Sequence, residues 1–113
     1  EISACLVGSE MCIRDRDKFL ATGLEVQVTE LDAEVDSNDL EDQAAYMKSI
    51  METIVTKQLN RDKNVNPKGI TGVTIWGLYD TCSWRANIPL LFASGINDPK
   101  PSFYAFLEAA KAK

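Results

Sequence analysis

The feature that most constrains the fold is a pair of β-branched runs separated by one long amphipathic segment. Residues 24–30 (LEVQVTE) and residues 70–77 (ITGVTIWG) are predicted strands, and the segment between them has the apolar spacing of a helix. No Asn-Gly or Asp-Gly hairpin signal separates the two strands. This order favours a βαβ unit, in which a right-handed crossover joins two adjacent parallel strands.

Helices are predicted on both sides of this unit and within it. Residues 17–22 have the pattern of a helix end that Gly23 stops. The long helix is predicted over residues 38–59, with Asn38 and Glu41 spaced as a capping box. Its predicted core positions are Leu40, Ala44, Met47, Met51 and Ile54. A last helix is predicted over residues 101–111, with Pro101 in its first turn and an apolar stripe of Phe103, Phe106, Leu107 and Ala110.

The alternation of side chains along the first strand does not suit a strand that is buried on both faces. Strict alternation puts Val26 and Val28 on the same face as Glu30, with polar residues on the other face. A β-bulge near the end of the strand would resolve this conflict, because one extra residue changes the face on which every later side chain lies.

Composition excludes several classes of function. The 113-residue chain has 45% hydrophobic and 26% charged residues and contains no apolar run of the ~20 residues that span a bilayer. Its net charge of −5, with scattered Lys and Arg, argues against a nucleic-acid partner. The chain has no histidine, so acid–base chemistry would depend on carboxylates. The three cysteines form no CxxC pair, and no metal site is predicted.

The first sixteen residues, EISACLVGSEMCIRDR, match nothing that follows them. They lack the basic start and the long apolar core of a signal peptide. The run resembles translated sequencing-adapter read-through, so residues 1–16 are predicted to be non-native and residues 17–113 to form the functional part. The alternative is a genuine short strand or helix.

Chemically active side chains are predicted at the carboxyl ends of both strands. Glu30 and Asp32 end the first strand, while Trp76, Asp80 and Trp84 follow the second. Indole rings stack on the apolar faces of sugar rings, and carboxylates act on the oxocarbenium-like transition state of glycoside hydrolysis. The pattern therefore indicates a sugar site. The simpler alternatives are hydrated surface acids, a core Trp76, and an Asp80 that caps a turn.

Several ordered segments resemble glycoside hydrolase family 10, the endo-β-1,4-xylanases. Residues 23–32 (GLEVQVTELD) resemble the nucleophile signature of that family, and the second cluster resembles its eighth barrel strand. Further segments of resemblance are 43–46 (QAAY), 89–92 (PLLF) and 100–101 (KP). Ala33 and Ala93 depart from the family pattern, which usually has a larger aliphatic residue and an acid at these positions.

The resemblance implies an α/β fold, namely the last two βα units of a TIM (β/α)8 barrel. It implies that Glu30 is the nucleophile of a retaining hydrolase and that Trp76 and Trp84 are aromatic walls of the sugar subsite. Supporting roles are implied for Asp32, Asp80 and Arg85. No cofactor is expected. The acid/base glutamate of the family would lie on an earlier strand outside this chain, so the chain alone is expected to be inactive.

The expected partner is xylan or a related β-1,4-linked polysaccharide, with no membrane or nucleic acid involved. Because polymeric xylan cannot enter cells, we expect a secreted protein that is monomeric when complete. Two alternatives remain open. One is a non-catalytic carbohydrate-binding or interaction module that kept the tryptophans. The other is a barrel glycosidase that acts on a different polysaccharide.

Overall fold

The computed structural model describes the backbone of residues 2–7 together with residues 17–83 and 87–111. Residues 17–21 are helical and lead into Gly23, whose φ of 78° is the left-handed conformation expected of a helix-ending glycine. The elements in chain order are β1 (Ile2–Val7), β2 (Val26–Asp32), α1 (Leu40–Asn60), β3 (Ile70–Ile75), a 3-10 turn (Asp80–Cys82) and α2 (Pro101–Ala110).

The strands form one parallel sheet in the order β1-β2-β3. Val26 pairs with Ile70, Val28 with Val73, and Leu31 with Ile75. The predicted βαβ unit is therefore confirmed, with α1 as the crossover between β2 and β3. Within residues 17–83 and 87–111, neither α1 nor α2 is both long enough and apolar enough to cross a bilayer.

A sheet of two strands was expected, but the described sheet has three. Ile2–Val7 pairs in parallel with β2, from Ile2 opposite Val26 to Val7 opposite Asp32. An open sheet edge accepts almost any extended segment, because the contacts along it are made by the backbone. The pairing corrects the strand count, whereas the foreign origin of residues 1–16 stays a prediction. Residues 8–16 lie outside the described residues.

The conflict in the first strand is resolved by the bulge that the sequence suggested. Pairing between β2 and β3 shifts register between Val28 and Leu31, and Glu30 has a φ of 56°. As a result Leu31 joins Val26 and Val28 on the fully buried side, and Glu30 is only half-buried. The strand also ends later than predicted, at Asp32.

Helix α1 begins one or two residues later than predicted, and the capping-box interpretation was wrong. Asp39 is the N-cap, and its Oδ1 accepts hydrogen bonds from the amides of Glu41 (2.8 Å) and Asp42 (3.0 Å). Asn38 has a φ of 54°, outside the extended conformation that an N-cap residue adopts. Leu40 is 45% exposed and is not a core residue.

Helix α2 begins at Pro101 as predicted, but the face that it buries differs from the predicted stripe. Ser102 and Ala109 are the buried residues, while Leu107 is 39% exposed. Small side chains let the helix backbone come close to its neighbours. Phe103 and Phe106 pack beside this contact and are partly buried. The buried apolar core comprises Leu20, Val26, Val28, Leu31, Ala33, Met47, Ile50, Met51, Ile54, Ile70, Leu91 and Ala109.

Candidate active site

Glu30 lies at the carboxyl end of β2, the central strand of the described sheet. Its left-handed backbone conformation is uncommon for a residue with a side chain and belongs to the bulge. A bulge changes the direction of a side chain at the end of a strand and is frequent beside active sites. Pairing with β1 and β3 thus holds the backbone around the half-buried Glu30 at the carboxyl end of the sheet, which is where α/β proteins bind ligands.

Asp32 is the last residue of β2 and is only 1% exposed. The next residue, Ala33, is fully buried, and its amide donates a hydrogen bond to the Pro89 carbonyl at 2.9 Å. The residue that follows β2 is therefore hydrogen-bonded to the long loop before α2. Asp32 cannot be a hydrated surface acid, since solvent does not reach it.

Trp76 follows β3 directly, and its amide donates to the Leu31 carbonyl at a long 3.4 Å. This contact brings the residue after β3 beside the end of β2, as the sequence predicted for two parallel strands. Trp76 is 49% exposed, so its side chain is not part of the core that the described residues form. A half-exposed indole at this edge can present a ring face to a ligand.

The other predicted aromatic wall, Trp84, and the supporting residue Arg85 lie outside the described residues. The segments on either side of them are described. The 3-10 turn before them is attached to the loop after them, because the amides of Asp80 and Thr81 donate to the carbonyls of Phe92 (2.9 Å) and Ala93 (3.3 Å).

Asp80, which is partly buried, forms an ion pair with the buried Lys100. Its Oδ2 accepts a hydrogen bond from Lys100 Nζ at 2.8 Å, and its Oδ1 accepts one from the Leu90 amide at 2.8 Å. Asp80 is the first residue of the 3-10 turn, whose N-cap is Tyr79, so the capping interpretation was wrong. Burial lowers the pKa of Lys100, and the Asp80 carboxylate partly opposes that shift.

Two features of the site were not found from the sequence. In the sequence, Lys100 stood out only as part of a segment that resembles the family. In the structure it is 3% exposed, and its ammonium group donates three hydrogen bonds. Asn87, with a φ of 58°, donates to Glu34 Oε1 at 3.2 Å. Both connect positions far apart in the chain, which no local pattern reveals. Among the described residues, no three His, Cys, Asp or Glu are grouped to hold a metal ion.

Comparison with known proteins relates this geometry to a family. The model of glycosyl hydrolase family 10 matches residues 9–109. The bifunctional endo-1,4-beta-xylanase of Ruminococcus flavefaciens is 40% identical over 95 residues, which are 83% of this chain and 9% of that protein. The thermostable celloxylanase of Thermoclostridium stercorarium is 33% identical over 118 residues, covering 92% of this chain and 30% of that protein.

A solved structure gives the same relationship in three dimensions. The CBM22-1 and GH10 modules of the Clostridium thermocellum endo-1,4-beta-D-xylanase 10B, complexed with xylohexaose, match with a TM-score of 0.72 at 30% identity. The match covers 89% of this chain and 19% of that one, and the chain spans less than a third of the curated relatives named above. The likeness relates this small α/β unit to a TIM-barrel family. The chain belongs to glycosyl hydrolase family 10.

Proposed function

We propose that this chain supplies the last two βα units of a retaining endo-1,4-β-xylanase barrel, with Glu30 as the nucleophile. The observation that carries the proposal is the position of Glu30. It is held on a bulge at the carboxyl end of the central strand, and the half-exposed Trp76, which follows the neighbouring strand, is bonded through its amide to Leu31, the residue after Glu30. TIM-barrel enzymes place their catalytic groups at this end of their strands.

In the proposed reaction, the Glu30 carboxylate attacks the anomeric carbon of a xylose unit within the polymer. The bond to the leaving oxygen breaks as a second carboxyl group protonates that oxygen, and a covalent glycosyl-enzyme forms. Water then hydrolyses this intermediate with help from the same second group, so the configuration at the anomeric carbon is retained. The two carboxyl groups of a retaining enzyme lie about 5–5.5 Å apart. The second group belongs to an earlier strand of the complete protein.

The remaining site residues have binding and supporting roles in this proposal. Trp76 and Trp84 are proposed as aromatic walls of the subsite that holds the sugar under attack. Asp32, buried two residues after Glu30, orients or tunes the nucleophile. Asp80 supports the site through its ion pair with Lys100. Arg85 is proposed as a further supporting charge.

The proposed substrate class is supported by the relatives, since two tryptophans and an acid do not by themselves identify the sugar. The xylanases named above are the proteins that this chain resembles, so we assign xylan or a closely related β-1,4-linked polysaccharide as substrate. Because polymeric xylan cannot enter cells, the complete protein is proposed to be secreted. It is also proposed to be monomeric. The chemistry requires no metal or organic cofactor.

The test uses the complete protein and a fluorinated xylobioside, which traps the glycosyl-enzyme. Glu30→Ala is expected to abolish covalent labelling and to lower kcat on xylan by about 10⁴-fold or more. Glu52→Ala, the same change on an exposed side of α1, serves as the matched control and should label at the normal rate. Labelling that persists in Glu30→Ala would contradict the assignment. A complete protein that binds xylan without hydrolysing it would instead favour a carbohydrate-binding module.

A further inference from the structure

A buried lysine lies beneath the loop that adjoins the candidate active site. The Lys100 ammonium donates to Asp80 Oδ2 (2.8 Å), to the Ile88 carbonyl (2.8 Å) and to the Leu90 carbonyl (2.7 Å). An ammonium group has three donors, and these three bonds use all of them. The side chain is 3% exposed, and lysine is almost never buried unless it is paired.

The segment that Lys100 holds is bonded to the strand of Glu30. The carbonyls of Ile88 and Leu90 accept from Lys100, while the carbonyl between them, that of Pro89, accepts from the Ala33 amide. Ala33 is three residues beyond Glu30 and follows β2 directly. Segment 88–90, which we call the bridge, is thus hydrogen-bonded both to Lys100 and to the residue that follows β2.

The same segment also contacts the end of β3. A Cβ atom added to Gly77 would lie 2.8 Å from Leu90 Cδ1, so the Leu90 side chain packs against the backbone that follows Trp76. Leu90 itself is held by three further bonds. Its amide donates to Asp80 Oδ1, and its carbonyl also accepts from Gln43 Nε2 (3.0 Å) and Ser102 Oγ (3.3 Å).

The backbone of the bridge is strained where Lys100 binds it. Asn87 has a φ of 58° and Ile88 a φ of 20°, and positive φ is particularly unfavourable for a β-branched residue. Such conformations persist only where the surrounding structure holds them. Here the bond from Lys100 to the Ile88 carbonyl is the one that acts directly on the strained β-branched residue, beside the bonds that hold Asn87, Pro89 and Leu90. Loss of this bond would leave the positive φ of Ile88 with less support, in a segment that is bonded to the end of β2 through Pro89.

We propose that Lys100 is a positioning residue, which fixes segment 88–90 and thereby aligns Glu30 and Trp76 for glycosyl transfer. The proposal rests on the function proposed above. A displacement of about 1 Å at a reacting group can cost on the order of 10²-fold in rate. Lys100 therefore affects the reaction without touching the substrate.

The test measures two quantities in the complete protein with the fluorinated xylobioside. One is the number of sites labelled per folded molecule, and the other is the rate of labelling. Lys100→Met keeps the length of the side chain but removes its charge and its donors. We expect one labelled site per folded molecule, still at Glu30, with the labelling rate lowered about 10- to 100-fold. Asp80→Asn, which keeps an acceptor for the Leu90 amide, should lower the rate less.

Lys48→Met is the matched control, because Lys48 Nζ lies 3.9 Å from Glu108 Oε1 at an exposed position. Its labelling rate should equal that of the wild type. Two results would overturn the proposal: a normal rate in Lys100→Met, or fewer labelled sites that each react at the normal rate, as a purely structural role requires. If Lys100→Met does not fold, Asp80→Asn decides by the same two criteria. A wild-type protein that is not labelled at Glu30 would refute the proposed function instead.

Discussion

At the scale of single residues, the backbone of Glu30 explains how one strand serves both the core and the site. Val26, Val28 and Leu31 are fully buried, and the bulge between the second and third of them leaves Glu30 half-buried. Without the extra residue, the glutamate would face the core and leucine would take the place at the site. A conformation with a φ of 56° persists only where the surrounding structure holds it, and here β2 pairs with β1 and β3 before and after Glu30.

A pH prediction concerns Glu25, just before β2. Hydrogen bonds from Thr71 (2.7 Å) and then from Lys68 (3.2 Å) lower the pKa of Glu25 below its ordinary value of 4.5. Because the pKa of Glu25 is lower in the folded state, the ionised Glu25 carboxylate stabilises the fold above pH 4.5. This contribution is lost as the pH falls through the folded-state pKa. In the complete protein, the stability difference between wild type and Glu25→Gln should therefore shrink on acidification.

Urea denaturation midpoints across the acid range measure that difference. Thr71→Val removes the hydrogen bond that lowers the pKa of Glu25 most. The stability difference between wild type and Thr71→Val should therefore also shrink as the pH falls. A difference between wild type and Glu25→Gln that stays constant at every pH would contradict this account.

At the scale of elements, the N-terminus of α1 gives a second prediction. Asp39→Ala removes the acceptor for the amides of Glu41 and Asp42 and should lower the free energy of unfolding by about 1 kcal/mol. Asp39→Asn keeps an acceptor and should cost less. Asn38→Gly should change little, since glycine adopts a φ of 54° readily. A larger loss for Asn38→Gly than for Asp39→Ala, measured by urea denaturation, would restore Asn38 as the cap.

The elements were predictable because their periodicity is local. The β-branched runs and the spacing of Met47, Met51 and Ile54 led to the correct order of β2, α1, β3 and α2, although β1 was not predicted. Their ends were less predictable, since Asn38 and Asp39 are both good N-cap residues and only the backbone angles separate them. The face that α2 buries depends on how closely it packs, so the small residues Ser102 and Ala109 were missed.

The candidate site was predictable where chemistry lies at the end of a strand. Glu30 and Trp76 were proposed from this rule, and the structure brings the ends of their strands together. The contacts of Lys100 with Asp80 and segment 88–90 were not predictable, because they join residues 10 to 20 positions apart through an irregular loop. Loop contacts of this kind follow from tertiary packing rather than from a repeating pattern.

At the scale of the whole molecule, the described sheet is open at β3. In the order β1-β2-β3, the far edge of β3 pairs with no strand in the described part of the chain. A cleft of about 300 Å³ lies beside it, lined mainly by apolar residues of α1 and β3: Met51, Ile54, Val55, Leu59, Ile70 and Val73. Unpaired backbone groups next to an apolar cleft favour association with another chain. In the proposed barrel, a further strand would cover this edge.

The last prediction follows from that edge and from the proposal that the acid/base group belongs to an earlier strand of the complete protein. The 113-residue chain expressed alone should self-associate, as measured by light scattering, and should release no reducing sugar from xylan. The complete protein should release reducing sugar. Thr74→Lys places a charge at an exposed position of β3 and should shift the isolated chain toward monomer. It should not restore hydrolysis, since solubility does not supply the second carboxyl group, whose general acid–base role contributes about 10²- to 10⁴-fold. A monomeric chain that hydrolyses xylan would mean that Glu30 has a catalytic partner within these residues.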